Sequence, residues 1–359
     1  MRNYVHCPEC DHRIPLGSGD GPRRKVRCPL CGARVRSADG VDADWDDEDR
    51  PRRRRPAPRS QTKVWLLVGG VIVLLIILGC GGIIFMVWRS MGPTSFPEQT
   101  EDYAQARTHF QTKLMRQGPA PQDYDPVTRP PGVDEVEYIS GTLRLKAWVS
   151  HPEAKPVRQP AVLFLHGGFA FGEDDWDMTK PFRDAGFVVM TPMLRGENGL
   201  PGSYSMFYNE TDDVLAAAEA FAKMPHVDGK RMYVAGHSAG GTLTLLAALT
   251  STRFRAAASF SGSPDQVAWA RGQKELVPFD PNSKIEFQMR SPLAYPKSFK
   301  CPVRIFYGSQ EFLFSSSSKK TAELAKAANL DVEAIQVPGD HFSAVDPAMR
   351  QAIQFFKMK

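Results

Sequence analysis

Cysteine is scarce over most of this chain. Of the six cysteines, four lie within the first 31 residues, Cys80 falls in an apolar run, and Cys301 stands alone. A domain held together by disulfide bonds would need paired cysteines along its length. We therefore expect no stabilising disulfide bonds in the C-terminal part. At 359 residues the chain is long enough for more than one folded unit.

Most of the chain also carries no net charge. Residues 1–63 carry 15 of the 45 Lys/Arg and 10 of the 40 Asp/Glu, so the net charge of +5 resides in that segment. From residue 64 onward, positive and negative charges balance. The chain has no basic recognition helix and no basic stretch interleaved with aromatics. Nucleic acid is therefore not an expected partner.

Charged residues are absent from one long stretch, residues 64–88, which is mostly Val, Leu, Ile and Gly. At about 1.5 Å per residue, a helix of this length spans a hydrocarbon core of about 30 Å. Trp65 and Trp88 lie at its two ends, as interfacial aromatics do. Arginines crowd its N-terminal flank, so the positive-inside rule applies. It predicts a single-pass membrane protein with residues 1–63 in the cytoplasm and residues 89–359 outside it.

The N-terminal segment, residues 1–36, contains two Cys-x2-Cys pairs. Seventeen residues separate the pairs, which fits the spacing of zinc sites. Four thiolates can close a tetrahedral zinc site and so hold together a segment too short for its own core. Two disulfide bonds or a redox pair are the alternative. The segment resembles the zinc-ribbon modules at the starts of many bacterial proteins, which implies a structural zinc ion on Cys7, Cys10, Cys28 and Cys31. A protein partner for this ribbon is expected but not identified.

Three further segments follow from composition. Residues 37–63 have an acidic block and then an Arg/Pro-rich block, which predicts a disordered linker. Residues 89–132 are polar and Pro-rich and predict a stalk, with a short amphipathic stretch near Glu101 to Arg116. In residues 133–359, strand patterns alternate with helix patterns, which predicts a mostly parallel sheet covered by helices on both faces. Ligands of such sheets bind at the carboxyl ends of the strands.

The C-terminal part contains the pentapeptide Gly-His-Ser-Ala-Gly at residues 236–240. The apolar run Met232 to Ala235 before it predicts a buried strand, and Thr242 to Leu249 after it predicts a helix. In this context Gly-x-Ser-x-Gly places a serine nucleophile, Ser238, at a sharp turn above the sheet. The flanking glycines keep the turn free of side chains where the backbone must come close. The alternative is an ordinary serine in a glycine-containing turn.

A serine nucleophile needs a base and an acid that orients the base. His341 follows the last predicted strand, Val332 to Val337, and occupies the final place in the chain order Ser, acid, His. Glu311 follows the strand Val303 to Tyr307, so its carboxylate can reach the His341 ring and fix its tautomer. Asp265 is the main alternative for the acid.

The developing oxyanion needs backbone N–H donors. The N–H of Ala239, at the start of the helix after the nucleophile, is the first predicted donor. The second is expected from the loop His166-Gly167-Gly168-Phe169, through the N–H of Gly168 or Phe169. His166 is expected to brace this loop.

Residues from about 133 to 359 resemble the α/β-hydrolase superfamily, with the closest likeness to the prolyl oligopeptidase family catalytic domain and to dienelactone-hydrolase-like proteins. The matching residues are His166-Gly167-Gly168, Arg195-Gly196, Gly236-His237-Ser238-Ala239-Gly240, Arg290-Ser291-Pro292, Gly308-Ser309-Gln310-Glu311 and His341. The resemblance implies acyl transfer to water through a Ser–His–acid triad that needs no cofactor. The acid here is Glu311, where these families usually carry Asp. The segment between the predicted membrane span and residue 133 is too short for the β-propeller of the peptidases.

These features predict a membrane-anchored serine hydrolase of the α/β-hydrolase fold. An ester and a peptide or amide substrate both remain open, because the same constellation cleaves either bond. The alternative is a catalytically inactive hydrolase-fold sensor that signals to the cytoplasmic zinc ribbon. The sequence does not define the oligomeric state.

Overall fold

The structure is a computed structural model that describes residues 4–7, 9–10, 12–15, 25–36, 96–150 and 157–359. The chain divides into two compact units, which are treated separately below. The predicted linker at 37–63 and the predicted membrane span at 64–88 lie outside the described residues. None of the helices within the described ranges combines the length and hydropathy that a bilayer-spanning helix needs.

The N-terminal unit consists of two short antiparallel hairpins. Strand β1 (Tyr4–His6) pairs with β2 (Arg13–Pro15), and β3 (Lys25–Arg27) pairs with β4 (Arg34–Arg36). Ile14 and Val35 pack with two of the cysteines to form its small apolar core. Among the described residues of this unit so few side chains are buried that we expect the cysteines to hold it together.

The C-terminal unit is built on an eight-stranded sheet in the order β12-β11-β10-β9-β7-β8-β6-β5. All neighbours from β12 to β8 pair in parallel, whereas β6 is antiparallel to both β8 and β5. The strands are β5 (Val133–Ser140), β6 (Leu143–Ser150), β7 (Gln159–Leu165), β8 (Val188–Pro192), β9 (Val227–His237), β10 (Ala256–Phe260), β11 (Val303–Gly308) and β12 (Val332–Val337). Strands β8 and β10 are buried along their whole length, as expected for a sheet covered on both faces.

Helices cover both faces of the sheet. They are α1 (Tyr103–His109), α2 (Glu173–Met178), α3 (Lys180–Asp184), α4 (Glu210–Ala222), α5 (Ala239–Thr250), α6 (Gln266–Ala270), α7 (Lys284–Gln288), α8 (Phe312–Ala327) and α9 (Val345–Lys357). Apolar residues of α4, α5 and α8 belong to one core cluster, and those of α3 and α9 belong to another. The predicted α/β architecture, with a mostly parallel sheet between two helical layers, is confirmed.

The segment before the first strand differs from the stalk predicted over residues 89–132. From residue 96 onward it packs against the C-terminal unit. Tyr103 is fully buried, and its hydroxyl donates a hydrogen bond of 2.7 Å to the carbonyl oxygen of Met289. Phe96 and Ala106 are buried in the same core. The polar, Pro-rich composition obscured these few anchoring side chains, which depend on contacts distant in sequence.

Candidate active site

Ser238 lies at the junction between β9 and α5, as predicted. Its backbone has φ 55° and ψ −115°, a conformation that L-residues rarely adopt. The two flanking glycines are required sterically. A Cβ on Gly236 would lie 2.5 Å from the carbonyl oxygen of Gly240, and a Cβ on Gly240 would lie 2.1 Å from that of Leu165. The chain therefore turns sharply enough here to present the serine side chain at the carboxyl ends of the strands.

Two hydrogen bonds connect the three residues predicted as nucleophile, base and acid. The Oγ of Ser238 lies 2.9 Å from Nε2 of His341. On the other side of the ring, Nδ1 of His341 lies 2.6 Å from Oε1 of Glu311. Because Nδ1–H donates a hydrogen bond to the carboxylate, Nε2 is left without a proton and can accept the hydroxyl proton of the serine.

The carboxylate of Glu311 is held by groups that the sequence analysis missed. Its Oε2 accepts hydrogen bonds of 2.6 Å from the hydroxyl of Ser261 and 2.6 Å from the N–H of Gly308. Burial alone would raise the pKa of Glu311, but the hydrogen bonds from His341, Ser261 and Gly308 outweigh it and lower the pKa. The carboxylate therefore stays ionised and aimed at the imidazole.

Two other acids, Asp265 and Asp340, have contacts of a different kind. Asp265, the alternative acid, caps the N-terminus of α6, where its Oδ1 accepts from the N–H groups of Val267 and Ala268 at 3.0 and 3.2 Å. Asp340 stabilises the turn that carries His341, because its Oδ1 accepts from the backbone N–H and the hydroxyl of Ser343. The structure thus pairs His341 with Glu311.

A second histidine supports the loop that carries His341. The Nε2 of His237 lies 2.9 Å from the carbonyl oxygen of His341. Burial lowers the pKa of His237 to about 4, so the ring is neutral near pH 7 and donates this bond through Nε2–H. The residue before the nucleophile therefore fixes the backbone position of the residue predicted as base.

The predicted oxyanion loop lies beside the serine. A Cβ on Gly167 would lie 3.7 Å from the Cβ of Ser238, which places the loop backbone next to the nucleophile. Ala239 follows Ser238 as the first residue of α5. Gly168 has φ 66°, a conformation that favours glycine. The N–H of Phe169 donates a 2.8 Å hydrogen bond to the side-chain oxygen of Gln122, a contact that the sequence analysis did not anticipate.

His166 braces this loop from below, as expected from its position. The ring is buried, with Nε2 3.0 Å from Oε2 of Glu197 and Nδ1 2.9 Å from the carbonyl oxygen of Gly167. Burial by itself lowers the pKa of His166, but the carboxylate of Glu197 outweighs that effect and raises the pKa to about 9. At neutral pH the ring is an imidazolium that donates from both nitrogens.

Aromatic side chains fill the space beneath the oxyanion loop. The ring of Phe169 contacts the rings of Tyr204, Phe207 and Trp269 at centroid distances of 5.0, 6.0 and 6.2 Å. The cavity bounded by this loop and Ala239 measures only about 10 Å³. That is the room of about one water molecule. A large substrate side chain could enter here only if an aromatic ring moved.

The four N-terminal cysteines form a cluster in their own unit. Their sulfur atoms lie within 4.8 Å of one another. The Sγ atoms of Cys7 and Cys31 are 3.5 Å apart, and those of Cys10 and Cys28 are 3.6 Å apart. These distances are too long for disulfide bonds and close to the edge of about 3.8 Å expected for a tetrahedron with Zn–S bonds of about 2.3 Å. The donor set therefore fits a metal ion that prefers thiolates.

The strand order, the serine at the turn after β9, the acid after β11 and the histidine after β12 define the C-terminal unit as an α/β-hydrolase. Comparison with known proteins agrees with this class. Residues 175–353 match the model of the prolyl oligopeptidase family.

The individual relatives include peptidases and a protein assigned as a dienelactone hydrolase. The uncharacterized peptidase YtmA of Bacillus subtilis is 26% identical over 188 residues, which cover 48% of this chain and 71% of YtmA. The Pyrococcus horikoshii acylaminoacyl peptidase superposes with a TM-score of 0.52 at 21% identity, over 63% of this chain and 40% of that one. A Klebsiella pneumoniae protein assigned as a dienelactone hydrolase gives a TM-score of 0.51 at 17% identity, over 63% of this chain and 98% of that one.

The expected likeness to both groups is confirmed. The matched region spans less than half of the acylaminoacyl peptidase, so the likeness does not extend to the whole of that protein. At these identities the two solved structures show the shared fold. Together with the family match, the relatives support a serine hydrolase.

Proposed function

We propose that this protein is a membrane-anchored serine hydrolase that cleaves small ester or peptide bonds through an acyl-enzyme. In this proposal His341 takes the hydroxyl proton of Ser238 as the oxygen attacks the carbonyl carbon. Glu311 stabilises the resulting imidazolium, and His341 then protonates the leaving group. Water subsequently attacks the acyl-enzyme with His341 again acting as base.

The hydrogen-bond chain from Glu311 through His341 to Ser238 is the observation that carries this proposal. An ordinary serine in a turn would not need a positive φ, two obligatory glycines and an ordered imidazole at hydrogen-bond distance. The support of Glu311 by Ser261 and Gly308 adds to the argument. A structural ion pair has no need for a carboxylate that is oriented by both of its oxygens.

Stabilisation of the oxyanion is assigned to the N–H of Ala239 and to the loop containing Gly168 and Phe169. These donors adjoin Ser238. They belong to the backbone, so they need no reorganisation as negative charge develops on the substrate oxygen. The small cavity beside them favours substrates with a small acyl group or a short peptide. The relatives include peptidases and a dienelactone hydrolase, so both bond types remain within the proposal.

The proposal also includes the location of each unit. The apolar stretch at residues 64–88 is proposed to be a single membrane span, with the N-terminus in the cytoplasm and the hydrolase unit outside it. The cysteine cluster is proposed to hold a structural zinc ion through Cys7, Cys10, Cys28 and Cys31. Reduced cytosol keeps such thiols available as ligands, which agrees with the proposed orientation.

A fluorophosphonate probe tests the enzymatic part directly. The purified full-length chain is expected to be labelled at Ser238 and the Ser238→Ala variant to remain unlabelled. Labelling of His341→Ala and Glu311→Ala should be at least about tenfold slower, because each loses a part of the activation of the serine. Ser316→Ala, which changes an exposed serine of α8, is the matched control and should react normally.

Hydrolysis of short-chain esters is then compared with hydrolysis of peptide amides, which separates the two substrate classes. The same variants show whether each activity depends on Ser238, His341 and Glu311. An unlabelled wild-type chain whose circular dichroism shows intact secondary structure would contradict the enzymatic proposal.

A further inference from the structure

A segment that precedes the first strand of the hydrolase unit lies along the candidate site. We call residues 112–124 the rim segment. At one end, the N–H of Lys113 donates to Oε1 of Glu286 at 2.7 Å, and the N–H of Met115 donates to the carbonyl oxygen of Pro278 at 2.8 Å. Further along, the N–H of Ala120 donates to the carbonyl oxygen of Gly196 at 2.9 Å. The rim segment is therefore held in place at two separate points along its length.

The rim segment brings Gln122 to the oxyanion loop. Its Oε1 accepts the 2.8 Å hydrogen bond from the N–H of Phe169. The approach is close, because a Cβ on Gly168 would lie only 2.5 Å from the same oxygen. Gln122 itself is exposed to solvent. The hydrogen bond between Gln122 and Phe169 lies at an exposed position, so once the Gln122 side chain leaves, the N–H of Phe169 is reachable by another acceptor.

The group that Gln122 presents has the chemistry of a substrate. A side-chain carboxamide and a peptide bond carry the same carbonyl acceptor, and an ester carbonyl accepts in the same way. A backbone N–H has one proton, so it cannot give a full hydrogen bond to Gln122 and to a developing oxyanion together. The loop 167–169 adjoins Ser238, where the substrate carbonyl must lie.

We propose that Gln122 is a tethered competitor of the substrate for the N–H of Phe169. This inference rests on the proposed hydrolase function. Turnover then requires the Gln122 side chain to leave the oxyanion loop, and its hydrogen bond lowers the activity of the resting protein. Gln122 itself takes no part in bond breaking or proton transfer, because it competes only for a hydrogen-bond donor.

Two substitutions and one control test this on the full-length chain. Gln122→Ala frees the N–H of Phe169 and is expected to raise both the rate of fluorophosphonate labelling and kcat/KM for a short-chain ester roughly fivefold, the equivalent of one net hydrogen bond. Gln122→Glu puts a carboxylate oxygen on the same N–H and is expected to slow both reactions, because a charged acceptor binds more strongly. Gln117→Ala removes an exposed glutamine of the same segment and should leave both rates unchanged.

The labelling experiment distinguishes a failure of this inference from a failure of the proposed function. Normal labelling of the wild type, with an unchanged or slower rate in Gln122→Ala, overturns the inference and leaves the hydrolase standing; a slower rate would make Gln122 a support of the loop. Absence of labelling in every folded variant overturns the proposed function and this inference together. A faster Gln122→Ala and a slower Gln122→Glu, beside a normal Gln117→Ala, establish the competition.

Discussion

The buried ion pair beneath the oxyanion loop makes a prediction with a definite pH dependence. The Glu197→Gln substitution keeps the shape of the side chain but removes the charge that holds His166 as an imidazolium. His166 has an ordinary pKa of 6.5 and a pKa of about 9 in the folded protein. A pKa shift of one unit corresponds to about 1.4 kcal/mol. The shift of His166 from 6.5 to about 9 therefore means that the pair contributes on the order of 3 kcal/mol to the free energy of unfolding.

The sign of the effect follows from the direction in which the pKa moves. Because folding raises the pKa of His166, the stabilisation is fully present below about pH 6.5 and is lost as the pH rises through about 9. We therefore expect Glu197→Gln to lower the free energy of unfolding by up to about 3 kcal/mol at pH 6. The difference from wild type should shrink toward zero near pH 10.

Urea unfolding of the hydrolase unit within the full-length chain, followed by tryptophan fluorescence at several pH values, measures this difference. The control is Glu137→Gln, which removes an exposed ion pair with Arg144 on the surface of β5 and β6. That pair should be worth less than about 1 kcal/mol at every pH. A Glu197→Gln variant whose destabilisation does not change between pH 6 and pH 10 would refute a charged His166.

Two further predictions concern the turn at Ser238 and the cysteine cluster. Gly240→Ala would bring a Cβ to 2.1 Å from the carbonyl oxygen of Leu165; it should destabilise the unit by about 3 kcal/mol or more in urea unfolding and slow the labelling of Ser238. Gly272→Ala meets no atom within 4 Å and is the matched control, so equal stability of the two variants would contradict the steric argument. Full-length wild type should contain about one zinc ion per chain by elemental analysis, and Cys28→Ser should bind far less. Cys301→Ser, in the other unit, should keep its zinc, and a metal-free wild type purified with zinc and reductant would speak against the site.

Much of the fold could be predicted because its signals are local. The strand Val332–Val337 has the bounds predicted for it, and the strand predicted over Val303 to Tyr307 ends one residue later, at Gly308. Strand β9 begins at Val227, earlier than the apolar run from Met232, because Val227 pairs with Gln159 of β7 across an irregularity in the register. Pairing between strands is a tertiary property that a single apolar pattern does not contain.

Some residues of the candidate site could likewise be predicted from local sequence, whereas others depend on tertiary contacts. Ser238, Glu311 and His341 each follow a recognisable strand, so their meeting at one edge of the sheet could be expected. Ser261 also follows a strand, β10, and its place beside the end of β11 could have suggested a role in holding Glu311. Gln122 gave no such signal, because it lies in a polar segment without secondary structure and contacts Phe169 across 47 positions of the chain.

The buried Tyr103 determines where this protein can be cut. A fragment beginning at the first strand, Val133, would include every residue of the proposed triad but would leave an open apolar cavity where Tyr103 and Phe96 pack. Loss of a buried aromatic side chain typically destabilises a domain by about 3–5 kcal/mol, a large part of the total stability. The shortest autonomous hydrolase therefore starts at or before Phe96. Any rearrangement of genes that moves this hydrolase into another protein has to carry its non-catalytic N-terminal segment as well.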